Sequence, residues 1–279
     1  MKSLIPVFLL LPLWASAALV TFETGQGYTV NTNLGVVNGT TSNAPFSGTN
    51  GWSLSTSTGP GRVVATTTSG EYLGGLALSG SATTNQTYIG GLKGIIEVTG
   101  VNSISFDAQY STGIGVGFMG DGDADSLFDQ GSGGSGGDTG LAVGVGGSPA
   151  RFEARYASFG TEIFNPAALA GTSGNWYHFN LLIGESVAGN RALTLAVRNL
   201  TAAAEIDLNG AAVGTAWSFT VTDAQFGVAP ENALGGFVRL TQAGTNGAKI
   251  DNLHFTAVPE PSVGLFGLTG LLALARRRR

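Results

Sequence analysis

The chain has no cysteine. Thiol catalysis, cysteine-ligated metals and disulfide staples are therefore excluded, and a folded body has to rest on a hydrophobic core, which a chain of 279 residues can supply. Charge is also scarce, at 11% of residues. Of the 13 basic residues, Lys2 and four terminal arginines lie at the extremes, leaving 8 against 17 acidic residues once Glu260 is set aside, or about −9 for the interior. A body this acidic lacks the basic face that nucleic acid requires, and suits a cation or a neutral glycan. Helix signals are nearly missing, with one possible turn over residues 166–170. There is no solenoid repeat and no Gly-x-Ser-x-Gly elbow.

What the chain has is glycine, 45 residues of it, and period-two alternation, the mark of half-buried strands. Ile104, Phe106, Ala108 and Tyr110 alternate with polar residues, as do Phe152, Ala154 and Tyr156 with Arg151, Glu153 and Arg155, one face apolar and the other ionic. Ile114–Val116–Phe118, Leu141–Val143–Val145, Tyr177–Phe179–Leu181–Ile183, Leu193–Leu195–Val197 and Trp217–Phe219–Val221 repeat the pattern, and a last strand falls near residues 250–255. Earlier candidates are residues 20–22, 52–54, 62–65, 72–78 and 95–98. Many short strands, turn-forming clusters between them and no helices predict an all-β, two-sheet antiparallel sandwich.

Both ends read as export segments. Lys2, an apolar run over residues 4–14 and the small-x-small pattern Ala15-Ser16-Ala17 form a secretory signal peptide with a cut expected after Ala17. At the other end Val258-Pro259-Glu260-Pro261 is stiffened by its prolines. An uncharged apolar run follows, carried by Val263, Gly264, Leu265, Phe266, Gly267, Leu268, Leu271, Leu272, Ala273, Leu274 and Ala275, and then Arg276, Arg277, Arg278 and Arg279. As a helix, residues 263–275 would reach roughly 20 Å, short of a hydrocarbon core of about 30 Å, so a span relies on arginine snorkelling and local thinning. Arginines resist transfer, which leaves the body outside and the last residues in the cytoplasm. A glycosylphosphatidylinositol signal fits less well, because its polar spacer is missing; a plain unprocessed anchor is the simpler alternative. The predicted organisation is thus residues 1–17 as signal peptide, 18–257 as β-sandwich and 258–279 as sorting and anchor segment.

This tail resembles the PEP-CTERM sorting signal of exported proteins in Gram-negative bacteria that make extracellular polysaccharide. The resemblance implies a membrane transpeptidase-like exosortase as partner, a cut near Pro259-Glu260-Pro261, and passage from an inner-membrane-anchored precursor to the cell surface or extracellular matrix.

Candidate chemistry in the body is thin. Asp121, Asp123, Asp125 and Asp129 occupy positions one, three, five and nine of a twelve-residue calcium loop. Position six is Ser126 rather than glycine, and position twelve is Ser132 rather than glutamate, so Ca²⁺ would be held weakly or with borrowed ligands; a solvated acidic turn is the alternative. Residues 131–137 are a glycine-serine tip with no phosphate-binding lysine. Residues 174–180, Gly-Asn-Trp-Tyr-His-Phe-Asn, with the strand over residues 193–198, resemble laminin-G and concanavalin-like lectin sandwiches, which often bind sugar or calcium. Glu205-Ile206-Asp207-Leu208-Asn209 resembles the Glu-x-Asp-x-Glu strand of laminarinase-type glycoside hydrolases, with three polar residues expected on one face. Retention needs two carboxyl groups about 5 Å apart, and Asn209 stands where the second glutamate belongs. His178 and His254 read as strand-face histidines with local hydrogen bonds. The three Asn-x-Thr acceptor matches at Asn38, Asn85 and Asn199 are chance in a threonine-rich chain. The sequence therefore predicts a non-catalytic exported protein, structural or glycan-binding through exposed Trp52, Trp176 or Trp217. A calcium-stabilised lectin-like module and a glycosidase are the alternatives.

Overall fold

The computed structural model describes residues 16–31, 33–34, 53–54, 61–80, 86–91, 100–110, 113–120, 139–146, 151–156, 161–164, 172–209, 214–226, 234–241 and 247–258. They form an all-β, antiparallel two-sheet sandwich. One sheet contains β1 (Ser16–Val20), β2 (Asn33–Leu34), β4 (Gly61–Thr66), β5 (Gly75–Ser79), β7 (Val101–Gln109), β12 (Trp176–Ile183), β13 (Asn190–Asn199), β14 (Ala204–Glu205), β15 (Trp217–Thr222) and β17 (Lys249–Val258). The other contains β3 (Ser53–Leu54), β6 (Gln86–Gly91), β8 (Ile114–Gly120), β9 (Thr139–Gly146), β10 (Arg151–Tyr156), β11 (Thr161–Phe164) and β16 (Leu234–Thr241). A four-residue helix, α1 (Asp223–Phe226), and one short 3₁₀ turn at Thr24–Gln26 are the helical elements among the described residues.

The alternating apolar residues meet between the sheets. Ile104, Phe106 and Ala108 of β7, Tyr177, Phe179, Leu181 and Ile183 of β12, and Val143, Val145, Phe152 and Ala154 of β9 and β10 are buried in one cluster. Phe106 stacks on Phe179 at 4.6 Å, and Phe152 of the opposite sheet meets Tyr177 and Phe179 edge-on at 5.9 Å. Burial of this apolar area, at about 25 cal/mol per Å², is the main term holding the layers together.

The large sheet is built around β7 and β17. Facing β7, β17 is opposed residue for residue from Val258↔Val101 up to His254↔Ser105, then slips by one before Asp251↔Asp107. The slip is a β-bulge, one extra residue in one strand. Asn252 takes φ 51°, a left-handed value that asparagine tolerates better than most residues. On the other edge of β17 the partner changes near the bulge: β5 pairs at Lys249 and Ile250, and β1 pairs from Leu253 to Ala257.

Two sequence expectations are corrected here. The run over residues 72–78 is not one strand: β5 begins at Gly75, because positive φ at Gly74 (76°) and Gly75 (139°) turns the chain away before it. The ionic face of β10 is not open, since Glu153 is buried. β1 pairs with β17 through Ser16↔Ala257 and Ala17↔Thr256, and β17 pairs with β7 at Val258↔Val101. Residues 95–98 and 166–170 lie outside the described residues.

Candidate functional site

Five ionisable side chains, distant in sequence, fall in one line. Strand register places Asp251 opposite Asp107, Asp107 opposite His178, His178 opposite Arg198 and Arg198 opposite Glu205. The line crosses β17, β7, β12, β13 and β14 on the outer face of the large sheet, because the residues flanking it along β7 and β12, such as Phe106, Ala108, Tyr177 and Phe179, point into the core. Directly opposed side chains on one face have Cβ atoms about 4.5–5.5 Å apart, so each interacts with the next.

The bulge supplies the polar centre. It turns both Asp251 and Asn252 towards this face, where Asn252 Nδ2 donates to Asp107 Oδ2 at 2.7 Å and the Asn252 N–H donates to Asp251 Oδ1 at 2.7 Å. His178 Nδ1 sits 2.7 Å from Asp107 Oδ1. When the imidazole is neutral and donates there, Nε2 remains as an acceptor, on a side chain that is 40% exposed.

The other end of the line is covered by a strap, residues 67–74, between β4 and β5. Tyr72 stacks on Trp176 at 3.6 Å and 13°, with Ala77 and Leu200 completing a small apolar cluster. Glu71 accepts two bonds from Arg198, from Nε and Nη2 at 2.6 Å each, while Arg198 Nη1 donates to Glu205 Oε1 at 2.6 Å. The Arg198 hydrogen bonds hold Glu71 below the usual carboxylate range. The Glu71 N–H donates to Leu200 O at 2.8 Å, and Ser69 Oγ lies 3.0 Å from Thr201 Oγ1. Gly70, at φ 61°, passes so close to the Leu200 and Thr201 carbonyls that a Cβ would collide with them.

A chain of hydroxyls leads from Thr66 to Asp251. Thr66 Oγ1 is within reach of Gly75 O at 3.1 Å and of Tyr72 Oη at 2.8 Å, and Tyr72 Oη donates to Asp251 Oδ2 at 3.0 Å. Burial pushes Asp251 up to about 7, with the neighbouring Asp107 charge adding to it, and burial likewise raises the Tyr72 phenol. Two carboxyl groups side by side would suit acid–base chemistry. However, Asp251 is 3% exposed beneath Tyr72, and Arg198 is already bound by two carboxylates. The line fastens strap to sheet and presents one imidazole.

The structure separates the residues the sequence had proposed. Trp176 is buried under Tyr72 and Trp217 is buried against Phe219 at 4.4 Å, so neither offers an exposed ring to a glycan. Both were read as exposed because a strand-leading tryptophan gives no sign of what will fold over it. Glu205, Asp207 and Asn209 do not share a strand face: β14 ends at Glu205, Leu208 is buried, and the Asn209 N–H donates to Asp207 Oδ1 at 3.1 Å in a local turn. Glu205 is spent on Arg198. His254 is exposed on β17, with Nε2 3.3 Å from Thr256 Oγ1. Trp52, Ala15, Asp121, Asp123, Asp125, Asp129 and residues 259–279 lie outside the described residues, while Ala17 falls in β1 and Val258 ends β17. Among the described residues no group of three or more acidic or histidine side chains could hold a metal, and no helix is long and apolar enough to cross a membrane.

Sequence reasoning missed Asp107, Asp251, Asn252, Tyr72 and the Glu71–Arg198 pair. One signal was present. Ile250, Leu253 and Phe255 break strict alternation at Asp251-Asn252, which is how a bulge writes itself into a strand.

No family model and no curated protein sequence matches the chain. Among solved structures it is similar to a protein of unknown function from Shewanella oneidensis MR-1, with 16% identity over 92% of this chain and 96% of that one at TM-score 0.45. It is also similar to peanut lectin, with 14% identity over 82% and 97% at 0.43. A third similarity is to an alginate lyase from Aplysia kurodai, with 9% identity over 70% and 87% at 0.42. The sandwich stands on its own strand pairing, and the binding or lyase activities in those names belong to those proteins.

Proposed function

We propose that this chain is an exported, non-catalytic β-sandwich cargo of the cell envelope or extracellular matrix, carried there by a PEP-CTERM-type tail and an exosortase, with a structural or glycan-binding role. One observation carries the reading. β1 and β17 are antiparallel partners, Ser16 opposite Ala257, so the two chain segments read as export signals leave the body side by side at one end of one sheet. β17 continues to Val258, the residue that precedes Pro259-Glu260-Pro261 in the sequence. That arrangement suits a body passed outward through one port and held at the membrane until cut. Mass spectrometry of the mature protein from its producing cell tests it. The expected product begins at Ala18 and ends near Pro259-Glu260-Pro261; recovery of an intact tail on released protein overturns the route.

With Trp176 and Trp217 buried, the surface open to a neutral polysaccharide is the outer face of β12, β13, β15 and β17. It carries Asn180, Thr194, Ser218, His178 and His254, all at least partly exposed. Hydroxyl, amide and imidazole groups on this sheet face match sugar hydroxyls. Affinity electrophoresis in gels of neutral exopolysaccharide should show retardation that Asn180→Ala with His254→Ala abolishes. Unchanged mobility of the double variant removes this face from consideration.

A further inference from the structure

We infer that the end of the sandwich from which β17 emerges rests against the lipid surface while the precursor is anchored. The inference rests on the anchor reading above and adds to it a docking face and a partner, the zwitterionic headgroup and upper acyl region of the outer-facing leaflet.

The covalent chain sets the distance. Between Val258, the last strand residue, and the apolar run beginning at Val263 lie four residues. From Val258 to Val263 is five residue steps, which fully extended span at most about 18 Å at roughly 3.5 Å each. A headgroup layer takes about 6 Å of that, since a bilayer of about 40–45 Å contains a hydrocarbon core of about 30 Å. Roughly 12 Å remains, too little for another folded protein between this end and the lipid. Pro259 and Pro261 also make the link stiff.

The residues at that end fit a lipid boundary. Among the described residues the exposed large hydrophobics are Leu19, Val30, Leu73, Val101, Leu182 and Val187. Three of them sit where β17 ends. Val101 is directly opposite Val258. Leu182 is opposite Ser103, one step diagonally from Val101 on the outer face, and is 49% exposed. Val187, 64% exposed, lies in the turn that joins β12 to β13 beyond the same end. The charges here do not favour anionic lipid. Glu185 is exposed, and Arg191 is buried, its Nε donating to Asp223 Oδ1 at 2.9 Å. Contact is therefore apolar. Three part-exposed side chains would bind weakly from solution, but a tether this short raises their effective concentration to the millimolar range.

The absence of cysteine makes the test direct. Val187→Cys and Leu73→Cys are made singly in the full chain, labelled with an environment-sensitive fluorophore and reconstituted in phosphatidylcholine vesicles with and without a quencher in the acyl chains. Leu73 is the control, because its strap lies on the Asp107 row, six residues up β7 from Val101 and so about 20 Å away. Label at 187 should lose emission to the quencher and label at 73 should keep it, little changed by added salt. Leu182→Glu with Val187→Glu, labelled at Val101→Cys, should cancel the quenching while the chain still floats with the vesicles. A chain that floats while label at 187 stays unquenched overturns the docking face and leaves the anchor standing. A chain that does not float overturns both.

Discussion

Asp251 is the residue whose chemistry departs furthest from its surroundings. Its folded pKa, about 7, is raised from 3.8 by burial, so the folded state favours the protonated acid. The sign follows: its contribution is fully present below the unfolded pKa near 4 and is lost as pH rises through about 7. Asp251→Asn cannot ionise and should therefore gain on the wild type as pH rises. Thermal melts from pH 4 to pH 8 are expected to show the variant falling less steeply across that window, with the difference largest at pH 8. A gap that stays constant with pH would mean that Asp251 titrates alike in the folded and unfolded protein. Tyr72→Phe removes the middle hydroxyl of the Thr66–Tyr72–Asp251 chain and with it a hydrogen bond that favours the Asp251 carboxylate.

At the scale of elements, the strap over residues 67–74 shows how a turn closes a face. Its aromatic anchor, Tyr72 on Trp176, adds about 0.5–1.5 kcal/mol beyond the area it buries, and its polar anchors are the forked Glu71–Arg198 pair and the bonds to Leu200 and Thr201. Gly70 is the hinge of this fit, with positive φ and two carbonyls where a Cβ would go. Gly70→Ala should lower stability by about 1–3 kcal/mol through strain and displacement, measured by urea unfolding. The strap is also expected to lift, giving Trp176 fluorescence a new accessibility to acrylamide. The elements themselves were legible: the alternating runs at Ile104–Ala108, Tyr177–Ile183, Leu193–Val197 and Trp217–Val221 all lie in strands with those residues inward or partly buried. The face opposite them was not legible, because period two says which residues share a side and is silent about which strands become neighbours. Arg198 and Glu205 could be paired by nearness in sequence; Asp107, His178 and Asp251 could not.

For the whole molecule, the placement of the ends decides how export processing touches stability. β1 completes the lower edge of β17, and Val20 and Phe22, inside and just after it, are fully buried. A cut after Ala17 removes the pairs at Ser16 and Ala17 and keeps Ala18, Leu19 and Val20 in place, so the mature fold should persist. A body beginning at Phe22 loses Val20 and leaves the edge of β17 from Leu253 to Ala257 unpaired. It should unfold at a temperature several degrees lower and aggregate more readily, as judged by calorimetry and light scattering against the form beginning at Ala18.

Composition and pattern were enough to establish an all-β body without disulfides, because a hydrophobic period and the absence of cysteine are properties of each stretch taken alone. They also supplied the expectation of two export ends, which waits on the processed protein. The line from Asp251 to Glu205, the burial of Trp176 and the common exit of β1 and β17 came only with tertiary structure. Each depends on strand order and register, which set cross-chain distances that no local spacing encodes.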